Sequence, residues 1–393
     1  MSLAAALRTR DLGELPRKRD SAWHYTDLRA AISALPPPSP EAEPFGISPF
    51  AGIPGEAIVF VNGRRLDAGR VPQPDSADSA DSSHHPDSAD SPDSPDSPDS
   101  SHHPDSVDSV DSVLILAAPD GAHSAHLVHC RFLSDANGTA HAAHLLLTVT
   151  AGARAVLLES HEGRGGAYVS DVRLDISLGE GARLERIVIT DEPADAVSVA
   201  TCHVAVEGEA HFAQTVLASG ARLQRVETDV RHPGAAARVR LDGVYLLGER
   251  RHADLTSVVD HEGPGGATAQ LTKGVVAGQG RGVFQGRITV RAGADGTDAR
   301  MGHHALLLSD RAEVDAKPEL EIWADDVQCA HGNTVGALDA DALFYAMSRG
   351  LPEPDARAML TEAFVGEVVA RIEHAGAREA AEAWVATRLR ALR

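Results

Sequence analysis

A chain of 393 residues that is 43% hydrophobic, 24% charged and only 4% aromatic is long enough for a core and has the apolar content of a folded protein. Its 57 acidic residues outnumber 36 Lys and Arg, giving a net charge of -21 with no segregated basic block, which argues against nucleic acid and anionic lipid as partners. No run reaches the ~18 apolar residues of a membrane span, and the N-terminal apolar stretch ends at Leu7, too short for a signal sequence. The three widely spaced cysteines, Cys130, Cys202 and Cys329, form neither a disulfide framework nor a CxxC zinc pair. These features predict a cytoplasmic protein in a reducing compartment.

The first 35 residues are helix-compatible, and Pro36-Pro37-Pro38 must end any helix there, because proline lacks the amide donor and clashes with the preceding turn. With the Pro/Gly-rich connection that follows, this forms an N-terminal helical region over 1–55. Ala57-Ile58-Val59-Phe60-Val61 followed by Asn62-Gly63 predicts a strand and a tight turn within 56–74. Residues 75–112 are of low complexity: DSSHHPDS at 81–88 returns at 99–106, and the tract holds eleven Asp and no Lys or Arg. It is too poor in apolar residues to offset ordering entropy, so a disordered insert is expected. The pairs His84-His85 and His102-His103 read as solvated rather than metal-binding.

Residues 113–335 change texture. Short β-branched segments, such as Leu145-Leu146-Leu147-Thr148-Val149 and Arg186-Ile187-Val188-Ile189, alternate with small-residue turns. The turns resemble one another: TAGAR at 150–154, LGEGAR at 178–183 and ASGAR at 218–222, while HEGRGGA at 161–167 recurs as HEGPGGA at 261–267. No long amphipathic helix interrupts the stretch, which excludes an alternating βα sheet. Regular short strands with small corners predict a mainly β fold, a β-solenoid whose coils bury their inward faces on one another, with a hairpin sandwich as the competitor. Helices return over 336–393. Asp339 is placed to cap one that ends at Gly350; Leu360, Phe364, Val368 and Ile372 form an apolar stripe, and Trp384, Val385, Leu389 and Leu392 mark a last helix.

No GxxxxGK[ST] loop, GxSxG elbow or HExxH motif is present, so neither a nucleotide site of its own nor a catalytic residue is expected. His161-Glu162 and His261-Glu262 pair imidazole with carboxylate, but neighbours on a strand point to opposite faces and do not converge. The segment richest in chemistry is 317–336. If Val327-Gln328-Cys329-Ala330-His331 is extended, Cys329 and His331 share a face. Thiolate and imidazole suit iron or zinc, yet two donors complete no four-coordinate site, so the rest must come from elsewhere in the chain or from a second subunit.

ELEIWADDVQCAHGNTVGALDADALFYAMSRGL at 319–351 resembles the C-terminal signature KPxLEIxADDVxCSHGATVG…LFYLxSRG of the SufB/SufD family, scaffold subunits of the Suf iron–sulfur cluster assembly machinery. TSVVDHEGPGG, TKGVVAGQGRGVFQGRITVRAGADGTDA and RKRDSAWHYTDLR resemble further family segments, so matches span most of 17–370 outside 75–112. CAHGNTVG favours the SufD branch over SufB. The resemblance implies a right-handed parallel β-helix between helical ends, a SufB-like partner, and a SufC-like ATPase docked on the C-terminal helices. It also implies a transient iron–sulfur cluster shared with the partner, with His331 and Cys329 as this chain's metal donors. A flavin at the level of the complex and a homodimer of the isolated chain are left open. The family usually has polar amides where this chain has His303 and His304, which read as local drift. The rivals are a SufB-like paralogue, a β-helix carbohydrate-active enzyme and a purely structural interaction module.

Overall fold

The computed structural model describes residues 2–66, 112–117 and 125–392; the Asp/Ser-rich tract, apart from Ser112, lies outside them. Two sheets carry the fold. The ten-stranded sheet holds β1 (Glu56–Val61), β2 (Arg64–Arg65), β4 (His126–Asn137), β6 (Arg154–Gly166), β8 (Arg183–Asp191), β10 (His211–Ala218), β12 (Arg238–Leu247), β14 (Ala267–Val276), β16 (Asp298–Leu307) and β18 (Gln328–Gly336). The eight-stranded sheet holds β3 (Ser112–Leu116), β5 (Ala140–Val149), β7 (Val169–Leu178), β9 (Val197–Val206), β11 (Leu223–His232), β13 (His252–His261), β15 (Arg281–Val290) and β17 (Glu313–Ile322). From β3 onward, consecutive strands alternate between the sheets, and each pairs in parallel with the strand two positions on. This is the parallel β-solenoid expected from the sequence. Among the described residues, the sole antiparallel strand pair is β1–β2, which disposes of the hairpin sandwich.

That hairpin turns at Asn62 and Gly63, both in the left-handed region at φ 48° and 79°. Such a turn matches the twist of paired strands. A Cβ at Gly63 would lie 2.2 Å from the carbonyl oxygen of Ala142, so glycine is required on two counts. The similar-looking turns are not all equivalent. TAGAR and LGEGAR share one corner, between β5 and β6 and between β7 and β8, where Gly152 N donates to Glu180 O and Gly181 N to Gly208 O, each at 2.9 Å. ASGAR makes the opposite corner, from β10 to β11, and the two HEG turns also fall on different corners.

Alternate residues of each strand point inward. Val128, Leu157, Leu184, Phe212 and Val239 join one buried cluster with Leu174, Val204 and Ile288 of the facing sheet. The outer face of the ten-stranded sheet is apolar as well. Ile187, Ile189, Val244 and Val275 are buried beneath α4 (Glu353–Val369) and α5 (Ala375–Ala391) through Val365, Val368, Ile372 and Trp384. Burial on both faces explains the unbroken apolar runs. Polar ties fix the helices to the sheet. Lys273 Nζ donates to Glu367, Arg371 pairs with Asp242, Glu185 accepts the amides of Glu373 and His374 at 2.6 and 2.9 Å, and Arg388 pairs with Asp191. Ahead of these stands α3 (Ala340–Ser348), capped by Asp339 and ended by Gly350 at φ 94°.

The N-terminal segment covers the other sheet, where Leu3, Leu15, Leu28 and Ile32 pack on Ala140, Val169, Val197 and Leu223. It is not continuous helix. Only α1 (Leu3–Thr9) and α2 (Leu28–Ala31) form, joined by single 3₁₀ turns. Aspartate side chains explain the breaks: Asp11 accepts from Gly13 N, Asp20 from Arg17 N and Asp27 from Ala30 N, each offering the backbone a local alternative to the helix ladder. Trp23 and Thr26 anchor the segment, the ring 4.3 Å from the Arg225 guanidinium and the hydroxyl 2.5 Å from Asp254 Oδ2.

Candidate functional site

Among the described residues, the solenoid ends on an uncovered rung. Each of β17 and β18 is hydrogen-bonded on one side, to β15 and β16, and ends its sheet. On β18 the register sets Cys329 over Ala299, His331 over Met301 and Asn333 over His303. All three positions beneath are buried, and Ala299 and Met301 belong to the inward-facing cluster. Cys329 and His331 therefore share the inward face, as alternation predicts, and stand at the mouth of the solenoid. Cys329 is half-buried against the core and His331 is exposed. Val335, Ile322 and Trp323, the last 70% exposed, give this mouth an apolar rim.

Asn333 is held from below. His303 Nδ1 lies 2.6 Å from Asn333 Oδ1 and its Nε2 lies 2.9 Å from Tyr245 Oη. The amide oxygen only accepts, so the Nδ1–H donates to it and Tyr245 donates to Nε2. The ring stacks on Phe284 at 4.6 Å with planes 4° apart, and burial pushes its pKa down to about 4, so it is neutral at pH 7. His304 Nδ1 lies 2.7 Å from Thr334 Oγ1. His303 thus positions the rung that carries His331, a role alternation alone did not disclose; its one sequence signal was a departure from the family pattern.

Partial burial raises the Cys329 thiol above its usual range, reinforced by the Asp298 charge and opposed by a backbone hydrogen bond from Ala299. The thiol is protonated at neutral pH, and a metal ion bound there would have to displace that proton. Cys130 and Cys202 are fully buried, and desolvation pushes Cys202 up to about 12 and Cys130 well above its usual range. Native-state alkylation with iodoacetamide should therefore label Cys329 alone, slowly at pH 7 and faster as pH rises past 9. Peptide mapping checks this, and equal labelling of Cys202 would contradict the buried interior.

The HEG pairs diverge as expected. His161 turns inward, its Nε2 2.7 Å from Glu159 Oε1, whereas Glu162 accepts from Nε and Nη2 of Arg131. The His261 ring lies 4.3 Å from that of His232, tilted by 40°, and Glu262 pairs with Arg231. Among the described residues, no three His, Cys, Asp or Glu side chains converge on a common point that would hold a metal ion.

Residues 132–364 match the family model for the SufBD core domain of the SUF system for FeS cluster assembly, more than half of the chain. The chain belongs to the SufBD family. Among SufBD relatives, an iron–sulfur cluster assembly protein of Synechocystis is 34% identical over 205 residues, 52% of this chain and 45% of the relative. SufD of Escherichia coli is 32% identical over 255 residues, 64% of this chain and 59% of SufD. A chloroplastic protein of Arabidopsis thaliana, ABCI7, is 27% identical over 68% of this chain and 59% of its own length. The matched segments span roughly half to three-fifths of these relatives. The match fits the SufD-like reading of the CAHGNTVG strand. No helix among the described residues is long and apolar enough to cross a membrane.

Proposed function

We propose that this chain is a non-catalytic scaffold whose uncovered last rung receives a second, SufB-like β-helix, with the iron–sulfur cluster assembled as cargo between the two. One observation carries the reading: Cys329 and His331 share the inward face of a strand whose outer edge is unpaired among the described residues. A bare strand edge with an apolar rim is a liability unless a partner covers it. Two donors leave a cluster's ligand set incomplete, which a facing subunit would complete. Without that partner, the same edges favour pairing with a second copy of this chain.

An ATPase of the SufC kind would dock on α3, where Phe344 and Tyr345 are 73% and 59% exposed beside exposed Met347, Leu351 and Met359. The α4–α5 ties would pass nucleotide-driven motion into the sheet. The working compartment would be the cytoplasm, with neither nucleic acid nor membrane as partner.

Anaerobic affinity purification with iron and sulfide analysis tests this. The full chain should recover a second β-helix subunit and an ATPase. Val335→Asp should lose the first by placing an unpaired charge at the rung, and Phe344→Asp should lose the second at least ~10-fold, as for an interface anchor. A stable cluster on the purified chain alone would overturn the reading.

A further inference from the structure

The outer face of the ten-stranded sheet carries a column of like charge. The register places Arg154 of β6 beside Arg183 of β8, then His211 of β10, then Arg238 of β12. Neighbouring strands stand ~4.8 Å apart, so three guanidiniums and an imidazole line up over about 14 Å. Like charges directly opposite one another destabilise a sheet.

Several strand arginines of this acidic chain have a carboxylate partner: Arg131 with Glu162, Arg231 with Glu262, Arg281 with Asp315, Arg300 with Asp298. Among the described residues, Arg154, Arg183 and Arg238 have none. The two nearby carboxylates are already engaged, Glu185 by the amides of Glu373 and His374, and Glu373 by Arg240. The column lines one side of an open groove of about 380 Å³, walled opposite by the link from α4 to α5 and floored by Val156 and Ala213. His211 sits between two of the guanidiniums; burial first, then Arg183 and Arg238, push its pKa down.

We propose that this column is a binding site for an oligophosphate anion, the counter-charge its geometry lacks. Guanidinium forks match phosphoryl oxygens bidentately. Spacing favours a phosphate chain over an acidic peptide. Carboxylates on one face of an extended peptide recur every ~6.7 Å, out of step with rungs ~4.8 Å apart. Phosphoryl groups joined by an anhydride oxygen stand close enough for neighbouring arginines to share. The groove is also of small-ligand size. This site lies on the strand starts, apart from the cluster-bearing rung, and needs no glycine-rich loop.

Isothermal titration of the full chain at about 0.15 M salt tests it, with sodium tripolyphosphate and, separately, magnesium-free adenosine triphosphate. Equal affinities assign the site to the phosphate chain itself; a tighter nucleotide means that the groove floor holds the nucleoside. Arg154→Gln, Arg183→Gln and Arg238→Gln should each weaken binding about 10-fold, and the triple variant should not bind. Arg183→Lys should fall between, keeping charge without the fork, and Arg231→Gln, remote and paired, should change nothing. Tripolyphosphate should raise the thermal midpoint of the wild type and not of the triple variant, whose own midpoint should be no lower. Wild-type affinity in the triple variant, or no binding by the wild type, would overturn the site.

Discussion

His331→Ala should cut cluster formation in the assembled complex at least ~10-fold while leaving the chain folded. Loss of even an outer-shell partner costs ~10–100-fold in metal affinity, and on the proposed function this change removes a donor itself. The side chain is exposed on an edge strand, so its deletion should change stability by no more than about 0.5 kcal/mol. The measurement pairs iron and sulfide content of the anaerobic complex with thermal unfolding of the isolated subunit. Asn333→Ala offers a graded comparison, because it frees the strand from His303 and leaves His331 in place. Undiminished maturation of iron–sulfur enzymes in cells carrying His331→Ala would remove His331 from the mechanism.

The largest loss of stability should come from the interior. Glu159 and Arg186 are fully buried, with Arg186 Nε and Nη2 2.8 and 2.7 Å from the two carboxylate oxygens and Nη1 on Gln214 Oε1. Gln214 passes the chain of hydrogen bonds on to Thr228. Glu159→Leu leaves the guanidinium without a counter-charge in a low-dielectric interior and should cost about 3–5 kcal/mol, whereas removing both partners should cost less than the two single changes together. Denaturant unfolding of the cycle measures this, and additive effects would show the pair to be uncoupled. Burial pushes the Glu159 pKa up, but Arg186 and His161 overcome that and hold it at about 2. A carboxylate depressed in the folded state contributes stability above its unfolded value near 4.5 and loses it as pH falls toward 2, so Glu159 favours acid unfolding in that window.

Much of the scaffold was legible in the sequence because parallel coils repeat one physical problem. Each strand needs an apolar inward face and each corner a small residue, so segments such as Leu145–Val149 and the glycine turns announce themselves. The Asn62-Gly63 hairpin and the Asp339 cap were legible for the same local reason. The shared face of Cys329 and His331 followed from alternation alone. Long-range pairings carried no such signal. Arg186 reads as the hydrophilic lead of an apolar strand, and only stacking brings Glu159 of the adjacent rung to it. His303 looked like drift until Tyr245 and Asn333 closed on its two nitrogens. The N-terminal helix failed because propensity over 17–35 says nothing of where Asp20 and Asp27 find amides.

The last helix has a length it cannot change. Glu185 holds the start of α5 and Asp191 holds Arg388 near its end, and both carboxylates belong to β8. Six strand residues advance ~20 Å, and the fourteen helical residues from His374 to Arg388 advance ~21 Å, so the two spans are commensurate. Inserting one residue between them would swing the far arginine about 100° around the axis. This part of the chain is a strut of fixed gauge, and a change in its residue count would break one of its two ties.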